Sequence, residues 1–257
     1  MKLIRYCLTN DKSKRINYGV IDNKNDNILY NINNPFKSLK INKNNKIYMK
    51  DVSLKIPLNP SKIICLAENF KKKNNKTKIE PLIFIKTSNS LIGNKKKITL
   101  PFNVNTWGES ELGVVIKKKC KNVSKNISDF ILGYISANDI TSKNINKRDH
   151  HLARSKCIDG YCAINYYVET NFETKNKKIF SYQNDKLLRE GNVNQMIWKP
   201  FDAITKISKW MTLYPGDLIL CGAPPRVRKR MYLKNGSKFT IEIEGMEDLE
   251  NTFFVDE

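Results

Sequence analysis

The chain has 257 residues, 40% hydrophobic and 28% charged, and 46 Lys and Arg against 25 Asp and Glu leave a net charge of +21. That length supports one large core, or one domain with a small appendage, and no stretch reaches the roughly 18 apolar residues of a membrane-spanning helix. A polyanion partner would suit the charge, but the excess is mostly Lys beside abundant Asn and Ile. The runs Lys71–Lys73, Lys95–Lys97 and Lys117–Lys119 fall at turns or strand ends without interleaved aromatics, so specific nucleic-acid binding is not expected.

The opening segment Met1–Cys7 lacks a long apolar stretch and reads as a first strand, not a secretion signal. Six scattered cysteines with no Cys-x-x-Cys pair read as free thiols in a reducing compartment, which predicts a cytoplasmic protein. Leu3–Leu8 and Ile16–Ile21 predict strands around the turn Asn10–Ser13. The Asn- and Lys-rich stretches 22–27, 40–46 and 71–78 predict solvated loops. Pro57 and Pro60 mark a junction between a small N-terminal β subdomain, residues 1–56, and a main domain, residues 57–257. Beyond it Ile63–Leu66, Leu82–Ile85 and Leu112–Ile116 read as buried strands. Ser128–Gly133 predicts a short helical or irregular piece leading into the strand Tyr134–Asn138. Phe201, Ile204, Ile207 and Met211 carry the three-and-four spacing of an amphipathic helix over 201–211. Pro215-Gly216-Asp217 is a turn into the strand Leu218–Cys221, Arg226–Arg230 is a basic loop, and Phe239–Ile243 is a further strand. Many short strands and one firm helix predict an α+β fold that is mostly β.

One short segment carries chemistry. On a strand, residues two apart share a face, so Glu109 and Glu111 would project together while Leu112, Val114 and Ile116 point away. Taken alone, the pair also fits an exposed charged face. Val115 on the glutamate side argues for burial on both faces. There, two carboxylates repel and are costly to desolvate, so one takes a proton or a cation sits between them. Asp139, ending the apolar segment Gly133–Asp139, is a third carboxylate. Three hard oxygen donors without His or Cys suit Mg²⁺, or Mn²⁺ or Ca²⁺, rather than Zn²⁺.

The succession of segments adds to this. Pro60–Phe70, Pro81–Gly93, the glutamate pair, Gly133–Thr141, Arg154–Asp159, Met211–Leu220 and Glu242–Asn251 follow one another in an order and spacing that resembles the catalytic domain of the fumarylacetoacetate hydrolase family over about residues 57–253. The resemblance implies a mixed β-sandwich roll, usually a homodimer. It also implies Mg²⁺ or a similar ion at the positions of Glu109, Glu111 and Asp139, and a small anionic 2-oxo or diketo acid as substrate. Such an acid chelates the ion through a carboxylate and the keto oxygen, and the ion stabilises the enolate formed when a neighbouring bond breaks. Lys156 matches the family's active-site lysine, a cation that holds the substrate carboxylate or donates a proton. Lys86 stands between a substrate contact and a structural lysine, Asn138 is a candidate substrate contact beside Asp139, and Asp159 reads as a structural acceptor.

The departures cluster at the chemistry. Hydrolytic relatives carry a lid His and, three residues on, a Glu that activate water; the matching positions are Lys73 and Lys76, and protonated lysines are not bases near neutral pH. Lys143 stands where the family has an Arg, keeping a charge for a substrate carboxylate but losing the bidentate fork. Ala223 replaces a hydroxyl-bearing Thr within Cys221–Pro224, Asn184–Arg189 replaces the family's Asn-Gly-x-x-Arg-Gln, and Ala163–Tyr166 replaces Pro-Leu-Gly-Pro. The two histidines, His150 and His151, precede Lys156, and His151 is the candidate replacement acid/base. The expected function is a divalent-metal-dependent enzyme acting through an enolate, in C–C cleavage, decarboxylation or tautomerisation. The second reading is an impaired paralogue that binds metal or metabolite without turnover.

Overall fold

Ile63–Ala67 and Leu218–Leu220 are short apolar runs without charges, and the fold encloses both. They pair in parallel, Leu218 opposite Ile63 and Leu220 opposite Cys65, although more than 150 residues separate them. Ser110–Ile116 pairs antiparallel with Leu218–Leu220 on the other side, and Ile131–Asp139 lies beyond it. In the computed structural model, which describes residues 1–70, 80–101 and 104–256, these strands form the middle of a 13-stranded mixed sheet. Every residue of Ser110–Ile116 is buried, as expected for a central strand covered on both faces.

A five-stranded sheet packs on one side, ordered Lys186–Asn192, Lys178–Gln183, Lys238–Ile243, Leu249–Val255 and Lys97–Leu100. Lys178–Gln183 and Lys238–Ile243 alternate between buried and less buried residues, the period of a strand with one covered face. Their Ile179, Phe239, Ile241 and Ile243 share a core with Ile64, Leu66, Leu112 and Val114 of the large sheet. The opposite side chains of the same central strands, Ile63, Cys65 and Val115, pack into a second core with Leu3, Val20 and Leu218. The architecture is therefore the mostly-β sandwich that the sequence predicts.

Asp217 fixes the parallel pair. Its buried carboxylate accepts from the Ser61 N–H at 3.0 Å, the Ser61 hydroxyl at 2.7 Å, the Lys62 N–H at 3.2 Å and the Tyr214 N–H at 2.8 Å. It also meets Lys62 Nζ at 2.6 Å. One side chain thus ties the turn before Leu218 to the residues before Ile63, and its desolvated charge is fully satisfied.

Residues 1–55 have a small core of Ile4, Tyr6, Ile21 and Leu29, yet their strands extend the large sheet through Lys2 opposite Glu169 and Leu3 opposite Val168. The predicted helix spans Pro200–Ser208, with Pro200 in its first turn where the missing N–H is harmless. Its buried stripe is Pro200, Ala203, Ile204 and Ile207. Phe201, assigned to that face from its spacing, is exposed to the side, and Met211 packs on the core from beyond the helix end. The six cysteines are free thiols.

Candidate active site

The three carboxylates meet where Ser110–Ile116 and Ile131–Asp139 run side by side. Glu109 lies just before its strand and not within the ladder. Its N–H donates to Asn138 Oδ1 at 3.0 Å and its carbonyl accepts from the Asp139 N–H at 2.9 Å. Asn138 is buried, holds Glu109 in register through that bond, and is not among the described residues lining the cleft. Asn138 and Asp139 are neighbours on a strand and point to opposite faces, so only one of them can face the cleft.

Two lysines flank Asp139. Lys86 is fully buried, and its Nζ donates to Asp139 Oδ1 at 2.7 Å and to the Ile140 carbonyl at 3.1 Å. It is not among the described residues lining the cleft and reaches Asp139 from the buried side. Lys156 ends a single helical turn, Ala153–Lys156. Its Nζ donates to Asp139 Oδ2 and to Thr141 Oγ1, the latter at 2.6 Å, and lies 3.6 Å from Glu109 Oε2 and 4.5 Å from the centre of the Phe84 ring. The turn is held by Asp149, whose carboxylate accepts the Arg154 N–H at 3.2 Å and the Ser155 N–H at 2.7 Å.

Burial disfavours ionisation of Asp139, but Lys156 and Lys86 outweigh it and hold its pKa below the ordinary aspartate value. Burial likewise disfavours the charge on Lys156, yet Asp139 and Glu109 outweigh it and raise its pKa above the usual lysine value. Glu111 behaves differently. It accepts the Gly222 N–H at 2.6 Å and has no ion pair among the described residues, and burial, reinforced by Asp139 and Glu109, pushes its pKa well above the usual carboxylate range.

The metal reading is tested by this arrangement. Asp139 is taken by two lysines and Glu109 by Arg189, and among the described residues no three His, Cys, Asp or Glu side chains stand grouped around a metal-sized point. The chemistry of the donor set still suits a hard divalent ion: all three acids face one cleft, and Glu111 is a buried carboxyl short of positive charge.

The cleft has a volume of about 1290 Å³, and among the described residues it is lined by six cationic side chains, Lys156, Arg189, Arg226, Arg228, Lys229 and Arg230, against the four acids Glu68, Glu109, Glu111 and Asp139. Lys143 and His151 are both exposed and neither lines it. Lys143 is fixed through its backbone, whose N–H donates to the Asn105 carbonyl at 2.8 Å, and its side chain is exposed. No histidine is among the described residues lining the cleft. Lys73 and Lys76 lie outside the described residues. Asp159, read as a structural acceptor, receives the Asn89 side-chain amide at 2.6 Å.

Arg189 is the residue that sequence reasoning passed over. Buried on Lys186–Asn192, it donates to Glu109 Oε1 at 2.5 Å and to the Pro224 carbonyl at 2.5 Å. Its signal was present in Asn184–Arg189, but the partner is 80 residues away in sequence. Burial, only partly offset by Glu109, lowers its pKa from the ordinary arginine value.

The sequence matches the fumarylacetoacetate (FAA) hydrolase C-terminal family over residues 58–254. An uncharacterised protein of Methanocaldococcus jannaschii is 34% identical over 200 residues, 76% of this chain and 83% of that protein. A mitochondrial oxaloacetate tautomerase of Rattus norvegicus is 31% identical over 200 residues, 72% of this chain and 64% of the tautomerase. Among solved structures, 2-hydroxyhepta-2,4-diene-1,7-dioate isomerase from Mycobacterium marinum superposes with a TM-score of 0.86 at 28% identity, covering 100% of this chain and 99% of that one. Maleylpyruvate hydrolase from Sphingobium, solved with manganese(II) and pyruvate, shares the fold at a TM-score of 0.77 and 20% identity over 100% of both chains.

Proposed function

Because the chain belongs to the fumarylacetoacetate hydrolase family, we propose that it is an enzyme acting on a small anionic 2-oxo or diketo acid through an enolate, in tautomerisation, decarboxylation or C–C cleavage. The observation that carries this is the cleft itself, where cations outnumber acids among the described lining residues and Lys156 stands beside Asp139 and Glu109. Glu109, Glu111 and Asp139 would hold a divalent ion, Mg²⁺ or Mn²⁺, which when bound acts as a Lewis acid for the keto oxygen. Lys156, whose charge its acidic neighbours favour, binds the substrate carboxylate or the enolate oxygen as a cation. Phe84 beneath it and the surrounding walls keep water from that charge and so strengthen it. Tautomerisation and decarboxylation suit this chain best, since neither needs the water-activating pair that the sequence lacks. Cytoplasmic location and assembly as a homodimer belong to the same proposal.

A second reading is favoured by one observation: Lys86, Lys156 and Arg189 already neutralise Asp139 and Glu109 without any metal. On that reading the cleft binds an acid metabolite and does not turn it over. The two are separated with purified protein by adding Mg²⁺ or Mn²⁺ and following oxaloacetate and acylpyruvates spectroscopically. The enzyme reading expects a metal-dependent rise in Tm and turnover, both lost in Glu109→Gln and Glu111→Gln. Protein showing neither metal stabilisation nor turnover refutes it.

A further inference from the structure

The loop Pro224–Arg230 carries four cations in five residues on the wall of the cleft and supplies its positive excess, and the reading above gives none of them a substrate group to bind. The loop is built to stay in place. The Val227 N–H donates to the Leu188 carbonyl at 2.9 Å, Arg226 bridges to Arg189, and the Arg189 guanidinium donates to the Pro224 carbonyl. At the far end the Arg230 guanidinium lies 3.7 Å from the centre of the Trp107 ring, a stacking contact that fixes its direction. Arg226, Arg228 and Lys229 are exposed and form no ion pair among the described residues. Their positive charge is therefore uncompensated and directed along a cleft that already holds Lys156. Trp107 is two residues from Glu109, a span of at most about 7 Å along the chain, so the basic loop and the carboxylate end of the cleft are within one small molecule of each other.

We propose that this loop is a second anion subsite, and that it selects 2-oxo acids bearing another carboxylate at the end remote from the keto acid. The proposal rests on the reading of the cleft as a 2-oxo acid site: Lys156 and the three-acid end take the 2-oxo carboxylate, and Arg226, Arg228, Lys229 and Arg230 take the distal one. A distal amide, ester or methyl group leaves those cations unmatched and gains none of the charge-assisted hydrogen bonding.

The test measures binding to the full chain in Mg²⁺ by calorimetry, using oxalate, 2-oxoadipate and the distal methyl ester of 2-oxoadipate. The last two share length and 2-oxo end and differ in the far charge. The expected result is at least tenfold tighter binding of 2-oxoadipate than of its ester at low ionic strength. The ratio should fall to within twofold in the triple variant R226Q/R228Q/K229Q, whose melting curve confirms that it is folded. A wild-type ratio within twofold, or a ratio that survives in the triple variant, overturns the subsite. If oxalate itself fails to bind, the 2-oxo acid reading falls and the subsite with it; if oxalate binds while the ratio is near one, only the subsite is lost.

Discussion

Replacing Lys86 with methionine removes a cation that the fold encloses completely while leaving a side chain of similar length to fill its space. Two acceptors then lose their donor: Asp139 Oδ1 and the Ile140 carbonyl. Breaking a buried ion pair by deleting one partner destabilises by roughly 3–5 kcal/mol, because the surviving charge is left desolvated. Asp139 keeps its bond to Lys156, which places the expected loss at the lower end, about 3 kcal/mol. With an unfolding entropy of about 2.1 cal/mol/K per residue, a chain of 257 residues loses about 6 °C of Tm for that change. Differential scanning calorimetry of Lys86→Met beside wild type at pH 7, without added metal, reads it directly. A Tm within 1 °C of wild type would show that Lys86 is not the aspartate's structural counter-charge, and the account of the site given above would be wrong at that point.

Three other substitutions probe the scaffold around the cleft. Asp149→Asn weakens the acceptor that starts the Lys156 turn and should lower Tm by about 2 °C, for roughly 1 kcal/mol of capping. Burial opposes its ionisation, but the Ser155 and Arg154 hydrogen bonds win and depress its folded pKa. Its contribution is therefore complete above the unfolded value near 4 and lost as pH falls through the lower folded value, so wild-type and variant melting curves should converge below about pH 4. A gap of unchanged size at pH 3 contradicts this. Gly222→Ala puts a Cβ 2.8 Å from Asn69 Cβ and 2.9 Å from the Leu66 carbonyl oxygen at φ +85°, and the shift would pull the Gly222 N–H from Glu111. It should lower Tm by several degrees and cut turnover more than tenfold, and a variant with wild-type kcat/KM would refute the role of that N–H. Arg189→Lys cannot reach Glu109 and the Pro224 carbonyl together and should cost about 2 kcal/mol, or about 4 °C, as read by thermal melting; a shift under 1 °C counts against the bridge.

Glu109, Glu111 and Asp139 were legible because a period of two and an uninterrupted apolar run are local signals, and the structure puts all three on one cleft. Lys156 was legible only through the order of neighbouring segments, since a lysine in a lysine-rich chain has no local mark of its own. What stayed hidden is what depends on distant pairing. Lys86 is buried because Leu82–Lys86, the end strand of the large sheet, pairs with Ile63–Ala67 and brings its last residue against Asp139, and Arg189 meets Glu109 because one sheet packs on the other. The exposure of Lys143 and His151 was hidden for a related reason: sequence proximity to Asp139 and Lys156 does not say which way a loop side chain turns. The basic loop was visible as composition, but its place on the cleft wall follows from its bonds to Leu188 and Arg189.

The clasp at Asp217 also has a temporal side. During synthesis the glutamate strand Ser110–Ile116 emerges about a hundred residues before Leu218–Leu220, and its partner Ile131–Asp139 about eighty. At about 5–20 residues per second, that leaves several seconds in which the inner edge of the glutamate strand has no neighbour to pair with. An apolar strand with a bare edge is a template for association with other chains. The parallel pair that finally closes the sheet has high contact order and forms slowly. Substitutions at Asp217, far from any chemistry, should therefore appear first as poor yield of soluble protein and only later as altered properties of the molecules that do fold.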